Sequence, residues 1–137
     1  MNPMKVAEHL EIKGGICEFR PRGERTLVEA VTHITSAIEY CRQRKIDKLL
    51  VDATGLEGIP IPTLVDRFLM VEEWAEVAEG LVVGAMVVHA EYIHPEKFAV
   101  KVAADFGLEI NVFTSEDDAF VWLSLPRDQR HPVGDGG

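Results

Sequence analysis

The sequence predicts a single α/β domain built on a mixed, mostly parallel sheet of five strands, with helices packed on it. Apolar segments of strand length alternate with segments of helical periodicity, which is typical of parallel strands joined by crossover helices. Two strand segments, residues 48–54 and 81–89, are nearly continuous apolar runs, as expected of strands covered on both faces. A chain of 137 residues, 47% of them hydrophobic, is long enough to bury one sizeable core.

The predicted element order is ββαβαβαβα, and it begins with a hairpin. Its strands lie within residues 6–12 and 16–19 and flank Gly14-Gly15, a good turn signal. The first helix is predicted to begin at Thr26, which can form a capping box with Glu29. Its apolar face repeats at spacings of four and three residues and comprises Leu27, Val31, Ile34, Ile38 and Cys41.

The second helix is predicted to begin at Pro62 or Thr63 and to end at Gly80. Its core stripe is predicted to comprise Leu64, Phe68, Val71, Ala75 and Ala78. A third helix is predicted from Pro95 to Gly107, with an apolar face of Phe98, Val102 and Phe106.

The last predicted strand covers residues 110–113, and Ser115 is the predicted N-cap of a fourth helix that carries Ala119, Trp122 and Leu123. We expect the domain to occupy residues 1–125. Residues 126–137 are polar and rich in glycine, which predicts a flexible tail.

Composition excludes several classes of partner. A net charge of −9 leaves little basic surface for nucleic acid or anionic membranes. The longest apolar run, residues 81–88, is far shorter than the roughly 20 residues of a membrane helix, so no membrane insertion is expected. Cys17 and Cys41 are predicted to be reduced core residues, and we expect no secretory signal before the fold. These features predict a cytoplasmic protein.

Three loops follow the predicted carboxyl ends of parallel strands, where ligands of open α/β sheets gather: residues 52–63, 89–95 and 114–116. The first is the candidate ligand or partner loop, with Asp52, Thr54, Gly55, Ile59, Ile61 and Thr63 as its candidate residues. Asp52 could bind a metal or act as a base, or it could accept backbone amides and shape the turn, and we favour the turn. A nucleotide site is not expected, because no Lys-Ser/Thr pair follows Gly58 and because Pro60 and Pro62 lack amide donors.

His89, Glu91 and His94 are the only clustered residues of the types that bind transition metals. Their spacing matches no standard metal-binding signature, and His94 could instead cap the third helix. We therefore predict no catalytic residue, no cofactor and no metal ion.

The second helix carries apolar residues outside its predicted core stripe. An amphipathic helix usually confines such residues to one side, so the extra ones indicate contact with another chain or with an apolar ligand. The alternative is a helix covered by its own chain. The candidate interface residues are Val65, Leu69, Met70, Trp74 and Val77.

The sequence resembles the SpoIIAA-like family, which belongs with the STAS fold of anti-sigma-factor antagonists and is more distantly similar to Sec-14-type lipid-binding domains. The phrases that carry the resemblance are VDATGLEGI, FAVKVAADFG and VFTSEDDAFVWL, within residues 4–125. STAS antagonists carry a phosphorylatable serine at the start of the helix after this strand. Ile61 and Pro62 occupy the corresponding positions, and Thr63 is the only nearby hydroxyl. The resemblance therefore implies a STAS-like fold without the phosphorylation switch.

Three functional hypotheses follow. The first is a non-enzymatic regulatory or interaction module that self-associates, as a homodimer, or binds a protein through the second helix and the loop that precedes it. The second is a carrier of a small apolar or lipid-like ligand, with a groove between the second and third helices lined by Ile59, Ile61, Leu64, Phe68 and Phe98. The third is a metal-dependent enzyme that uses Asp52, His89, Glu91 and His94.

Overall fold

A five-stranded mixed sheet forms the centre of the protein. The structure is a computed structural model, and it describes residues 9–130. The strands are β1 (Leu10–Lys13), β2 (Ile16–Phe19), β4 (Lys48–Asp52), β6 (Val83–Val87) and β7 (Ile110–Phe113), in the spatial order β1-β2-β4-β6-β7. The β1–β2 hairpin is antiparallel, and each later pair is parallel. The predicted mixed, mostly parallel sheet with a hairpin at its edge is confirmed. Val6, predicted in the hairpin, lies outside the described residues.

Two short strands, β3 (Gly23–Glu24) and β5 (Leu56–Glu57), form a separate parallel pair that the sequence did not predict. They bring the segment after β2 against the loop that follows β4. The backbones approach so closely at Gly55 that a Cβ there would lie 3.2 Å from the carbonyl oxygen of Pro21. This glycine therefore serves the packing of two loops against each other.

Four helices cover the two faces of the sheet: α1 (Leu27–Gln43), α2 (Leu64–Ala78), α3 (Phe98–Asp105) and α4 (Glu116–Ser124). The main core lies between one face and helices α1, α2 and α3, and it includes Cys17 and Cys41, which are free and buried as predicted. On the opposite face, α4 packs Ala119, Trp122 and Leu123 against Leu50, Ala85 and Val87. Within residues 9–130, no helix is both long and apolar enough to span a membrane.

The helix caps follow the local sequence signals. Thr26 and Thr63 each accept a hydrogen bond from the third helical amide, and Glu29 and Asp66 complete the two capping boxes. Ser115 accepts a hydrogen bond from the amide of Asp118 at 3.2 Å, as predicted. The hydroxyl of Thr63, which follows the positions of Ile61 and Pro62, thus stabilises the first turn of α2.

Three boundary predictions are wrong. Helix α3 begins at Phe98 instead of Pro95, because Lys97 adopts a left-handed conformation (φ 49°) that interrupts the helix. Phe106 lies beyond the end of α3 and is exposed. Residues 127–129 form a 3-10 turn, and Arg130 is buried in an ion pair with Glu109, so this part of the predicted tail packs on the domain. Residues 131–137 lie outside the described part.

Candidate functional site

The loops at the carboxyl ends of β4 and β6 are tied together by hydrogen bonds. The ring nitrogen Nε2 of His89 lies 3.2 Å from the carbonyl oxygen of Thr54, and the hydroxyl of Tyr92 donates to the carbonyl of Ile59. Arg67 of α2 donates from Nη2 to the carbonyl of Tyr92 at 3.2 Å. The predicted ligand loop is therefore fixed to the neighbouring loop and to the first turns of α2.

Asp52 shapes the turn after β4. Its Oδ1 accepts hydrogen bonds from the amide of Thr54 at 3.0 Å and from the hydroxyl of the same residue at 2.6 Å. Burial alone would raise the pKa of Asp52, but the hydrogen bonds donated by Thr54 and the positive charge of Arg20 hold it below its ordinary value. A carboxylate engaged in this way matches the structural interpretation of Asp52.

His89, Glu91 and His94 do not converge on one point. His89 faces Thr54, whereas Nδ1 of His94 accepts a hydrogen bond from the amide of Glu96 at 3.0 Å, which stabilises the turn before α3. Across residues 9–130, no group of three or more His, Cys, Asp or Glu side chains is placed to hold a metal ion. The described part of the chain thus offers no geometric support for the metal-dependent hypothesis.

An apolar cavity of about 120 Å³ lies between the α1–α2 pair and the sheet, at the carboxyl ends of β4, β6 and β7. Helix α1 contributes Leu27, Ala30 and Val31, and the loop after β4 contributes Ala53 and Ile59. The other wall residues come from α1, β6, β7, the adjoining loops and the inner faces of α2 and α3: Ile34, Leu56, Pro62, Arg67, Met70, Trp74, Met86, Val88, His89, Tyr92, Ala99, Ile110 and Val112. Because the wall includes the exposed His89 and half-buried loop residues, the cavity reaches the surface beside the loop.

This cavity is not the groove that the sequence predicted. Of the five residues assigned to that groove, only Ile59 lines the cavity. Ile61, Leu64 and Phe68 are exposed, and Phe68 makes an edge contact with Phe106 at 5.5 Å between ring centres. Phe98 is half-buried next to the His94 ring. The space therefore lies on the α1 side of α2 and is lined by only one residue of α3.

The side of α2 that faces the core differs from the predicted one. Its buried residues are Arg67, Val71, Trp74 and Ala78, at spacings of four, three and four. The stripe predicted through Leu64 and Phe68 shares only Val71 and Ala78 with this face. Trp74, assigned to an exposed interface, is only 2% exposed and packs in the core, because it lies two turns after Arg67 on the inner face. A charged residue at the start of the face concealed the correct periodicity.

Arg67 is a buried residue of the cavity wall that was not predicted from the sequence. Its side chain is buried, at 9% exposure, and it lines the cavity. Within residues 9–130 its guanidinium makes one hydrogen bond, to the carbonyl of Tyr92, and no carboxylate lies within 4.0 Å of it. A lone arginine amid a predicted apolar stripe was the only sequence signal that could have indicated it.

The outer face of α2 is apolar and exposed. Val65 is 67% exposed and Leu69 is 54% exposed, and Leu64 and Phe68 lie beside them. Met70 and Val77, predicted to share this interface, are instead half-buried against the core. The exposed patch formed by Leu64, Val65, Phe68 and Leu69 is called the α2 patch below.

Comparison with known protein families, with characterised proteins and with solved structures gives no match to this chain.

Proposed function

We propose that this protein is a non-enzymatic, STAS-like module that binds a small apolar molecule in the cavity beneath α1 and α2. The cavity of about 120 Å³ is the observation that carries this proposal. Enclosed apolar cavities of this order, about 150 Å³, bind a single hydrocarbon such as benzene. The position also favours it, because the carboxyl ends of parallel strands are the usual binding edge of open α/β sheets.

The likeness to SpoIIAA-like and STAS proteins is part of the same proposal. The hairpin at the sheet edge and the packing of Ala119, Trp122 and Leu123 from the last helix support it. The capping role of Thr63 supports a module without a phosphorylation switch. The Thr63 hydroxyl oxygen already accepts a hydrogen bond from the amide nitrogen of Asp66, at 3.0 Å. A cytoplasmic location remains our expectation from the sequence.

Toluene tests whether the cavity accepts an apolar molecule. In a two-dimensional amide NMR titration, we expect toluene to shift the resonances of cavity residues such as Ala30 and Val88. Ala99→Leu adds a larger side chain to the cavity wall and is expected to weaken toluene binding by about tenfold or more. Ala104→Leu is the matched control, because Ala104 lies in the same helix but is exposed.

Toluene binding that is absent, or that is equally strong in both variants, would refute the proposal. Native mass spectrometry of the protein purified from cells would then identify any compound bound elsewhere. Melting curves of both variants show whether α3 tolerates the added volume.

A second candidate function is self-association as a homodimer through the α2 patch. The exposure of Val65 and Leu69 favours it, because large apolar side chains that neighbour one another on a helix surface are typical of protein contacts. A two-fold symmetric dimer is the commonest arrangement.

Leu69→Asp is expected to convert such a dimer into a monomer, because a carboxylate would be buried at the contact. Light scattering coupled to size exclusion measures the mass directly. Val121→Asp is the matched control, since Val121 is similarly exposed but lies on α4, on the opposite face of the sheet. An unaltered protein that remains monomeric up to millimolar concentration would contradict self-association.

A further inference from the structure

We infer that the ligand of the cavity is a small amphipathic monoanion, with an apolar body held between α1, α2 and the sheet and a carboxylate group bound by Arg67. This inference rests on the proposed function and specifies its chemistry. The juxtaposition of a largely buried arginine side chain with a mostly apolar wall carries it.

An arginine side chain that is buried without a counter-charge is less favourable than a paired one, because burial removes part of the hydration of its guanidinium and no carboxylate replaces it. Arg130, the other arginine buried to this degree within residues 9–130, shows the usual solution. Its Nε lies 3.2 Å from Glu109, and it also donates to the carbonyl of Leu125. Arg67 is buried to a similar degree, but its one hydrogen bond to a described residue is to a neutral carbonyl, that of Tyr92. Most of its five N–H donors are therefore free to bind an oxyanion in the cavity.

The surroundings indicate a single negative charge. Arg67 is the only lysine or arginine in the described cavity wall, and His89 is the only other side chain there that can carry a positive charge. Charge elsewhere does not attract anions, since the whole chain has a net charge of −9. A planar carboxylate matches the planar fork of a guanidinium and needs one counter-charge, whereas a phosphate dianion would need more.

The size of the cavity limits the apolar part. About 120 Å³ accommodates a group the size of one aromatic ring or a short branched chain, and it cannot enclose the acyl chains of a diacyl lipid. Aromatic or short aliphatic carboxylates are therefore the substances that fit both the charge and the volume.

Phenylacetate and phenylacetamide test the inference, because they share one shape and differ in charge. By calorimetry at pH 7.5, we expect phenylacetate to bind the unaltered protein about tenfold more tightly or better, as charge-assisted hydrogen bonds replace neutral ones. Arg67→Met should abolish this preference while phenylacetamide affinity changes by less than about threefold. Arg44→Met, which removes an exposed positive charge outside the cavity, should leave the preference intact.

Each outcome has a separate meaning. Equal affinities of the unaltered protein for the two probes, or failure of both probes while toluene binds, would overturn the anion inference and leave the cavity function standing. Failure of toluene itself would overturn the cavity function. The two-probe comparison on the unaltered protein needs no variant to fold. If Arg67→Met unfolds, Arg67→Lys, which keeps the charge but loses the planar fork, should reduce the preference without abolishing it.

Discussion

Replacing Trp74 by alanine is expected to lower the free energy of unfolding by about 3–5 kcal/mol, the largest effect of any substitution in α2. Trp74 is among the largest fully buried side chains of the described residues, and it contacts both the main core and the cavity. Its indole N–H also donates to the carbonyl of Val31 at 3.4 Å, linking α2 to α1. Because a domain of this size has a total stability of about 5–15 kcal/mol, the variant should be close to unfolding at 37 °C.

Urea denaturation followed by circular dichroism measures this change. Leu69→Ala is the matched control, because Leu69 lies in the same helix with its side chain exposed and should change stability by less than about 0.5 kcal/mol. If Trp74→Ala costs less than about 1 kcal/mol and Leu69→Ala costs more, then α2 presents the opposite face to the sheet.

The buried face of α2 is a feature that the sequence alone did not predict. Two apolar stripes with helical spacing can be drawn through Val71 and Ala78, and hydrophobicity alone favours the one through Leu64 and Phe68. The structure uses the stripe through Arg67 and Trp74. Periodicity specifies that a helix is amphipathic, but the choice between overlapping stripes depends on tertiary contacts, here with α1 and the sheet.

The sheet was more predictable than the site because its signals are local. The Gly14-Gly15 turn, the apolar run of β4 and the capping boxes at Thr26 and Thr63 each depend on neighbouring residues. The β3–β5 pair escaped prediction, since two strands of two residues each leave no periodic pattern. Ile59, which follows the carboxyl end of a strand, lines the cavity, but the contributions from α1, α2 and α3 arise only from packing.

Arg20 is expected to contribute nearly as much to stability as Trp74. It follows β2 directly, and its guanidinium binds Glu116 through two hydrogen bonds of 2.9 and 2.7 Å, from Nε and Nη2. The same Nη2 lies 2.8 Å from Glu18, whose side chain is only 4% exposed. Arg20 therefore neutralises carboxylates from β2 and from the start of α4, on two separate parts of the chain.

Arg20→Met is expected to destabilise the protein by about 2–3 kcal/mol, because it leaves the Glu18 carboxylate buried without its cation. The figure lies below that of a fully buried pair because the Arg20 side chain is 31% exposed and its ion pairs are partly screened by water. Urea denaturation at pH 7 measures the loss. Adding Glu18→Gln to the Arg20→Met background should recover part of it, since a neutral amide does not need the lost charge.

The loss of stability in Arg20→Met should also depend on pH. Arg20 helps to hold the pKa of Asp52 below its ordinary value of 3.8. A carboxyl group whose pKa is lowered by folding contributes stability above its unfolded pKa, and this contribution disappears as the pH falls through the folded pKa. The difference between the unaltered protein and Arg20→Met should therefore be full at pH 7 and should shrink below about pH 4, as Asp52 becomes protonated. A cost below about 0.5 kcal/mol that is the same at pH 7 and pH 4 would show that Arg20 is merely a surface charge, and the joining of β2 to α4 would then rest on apolar packing alone.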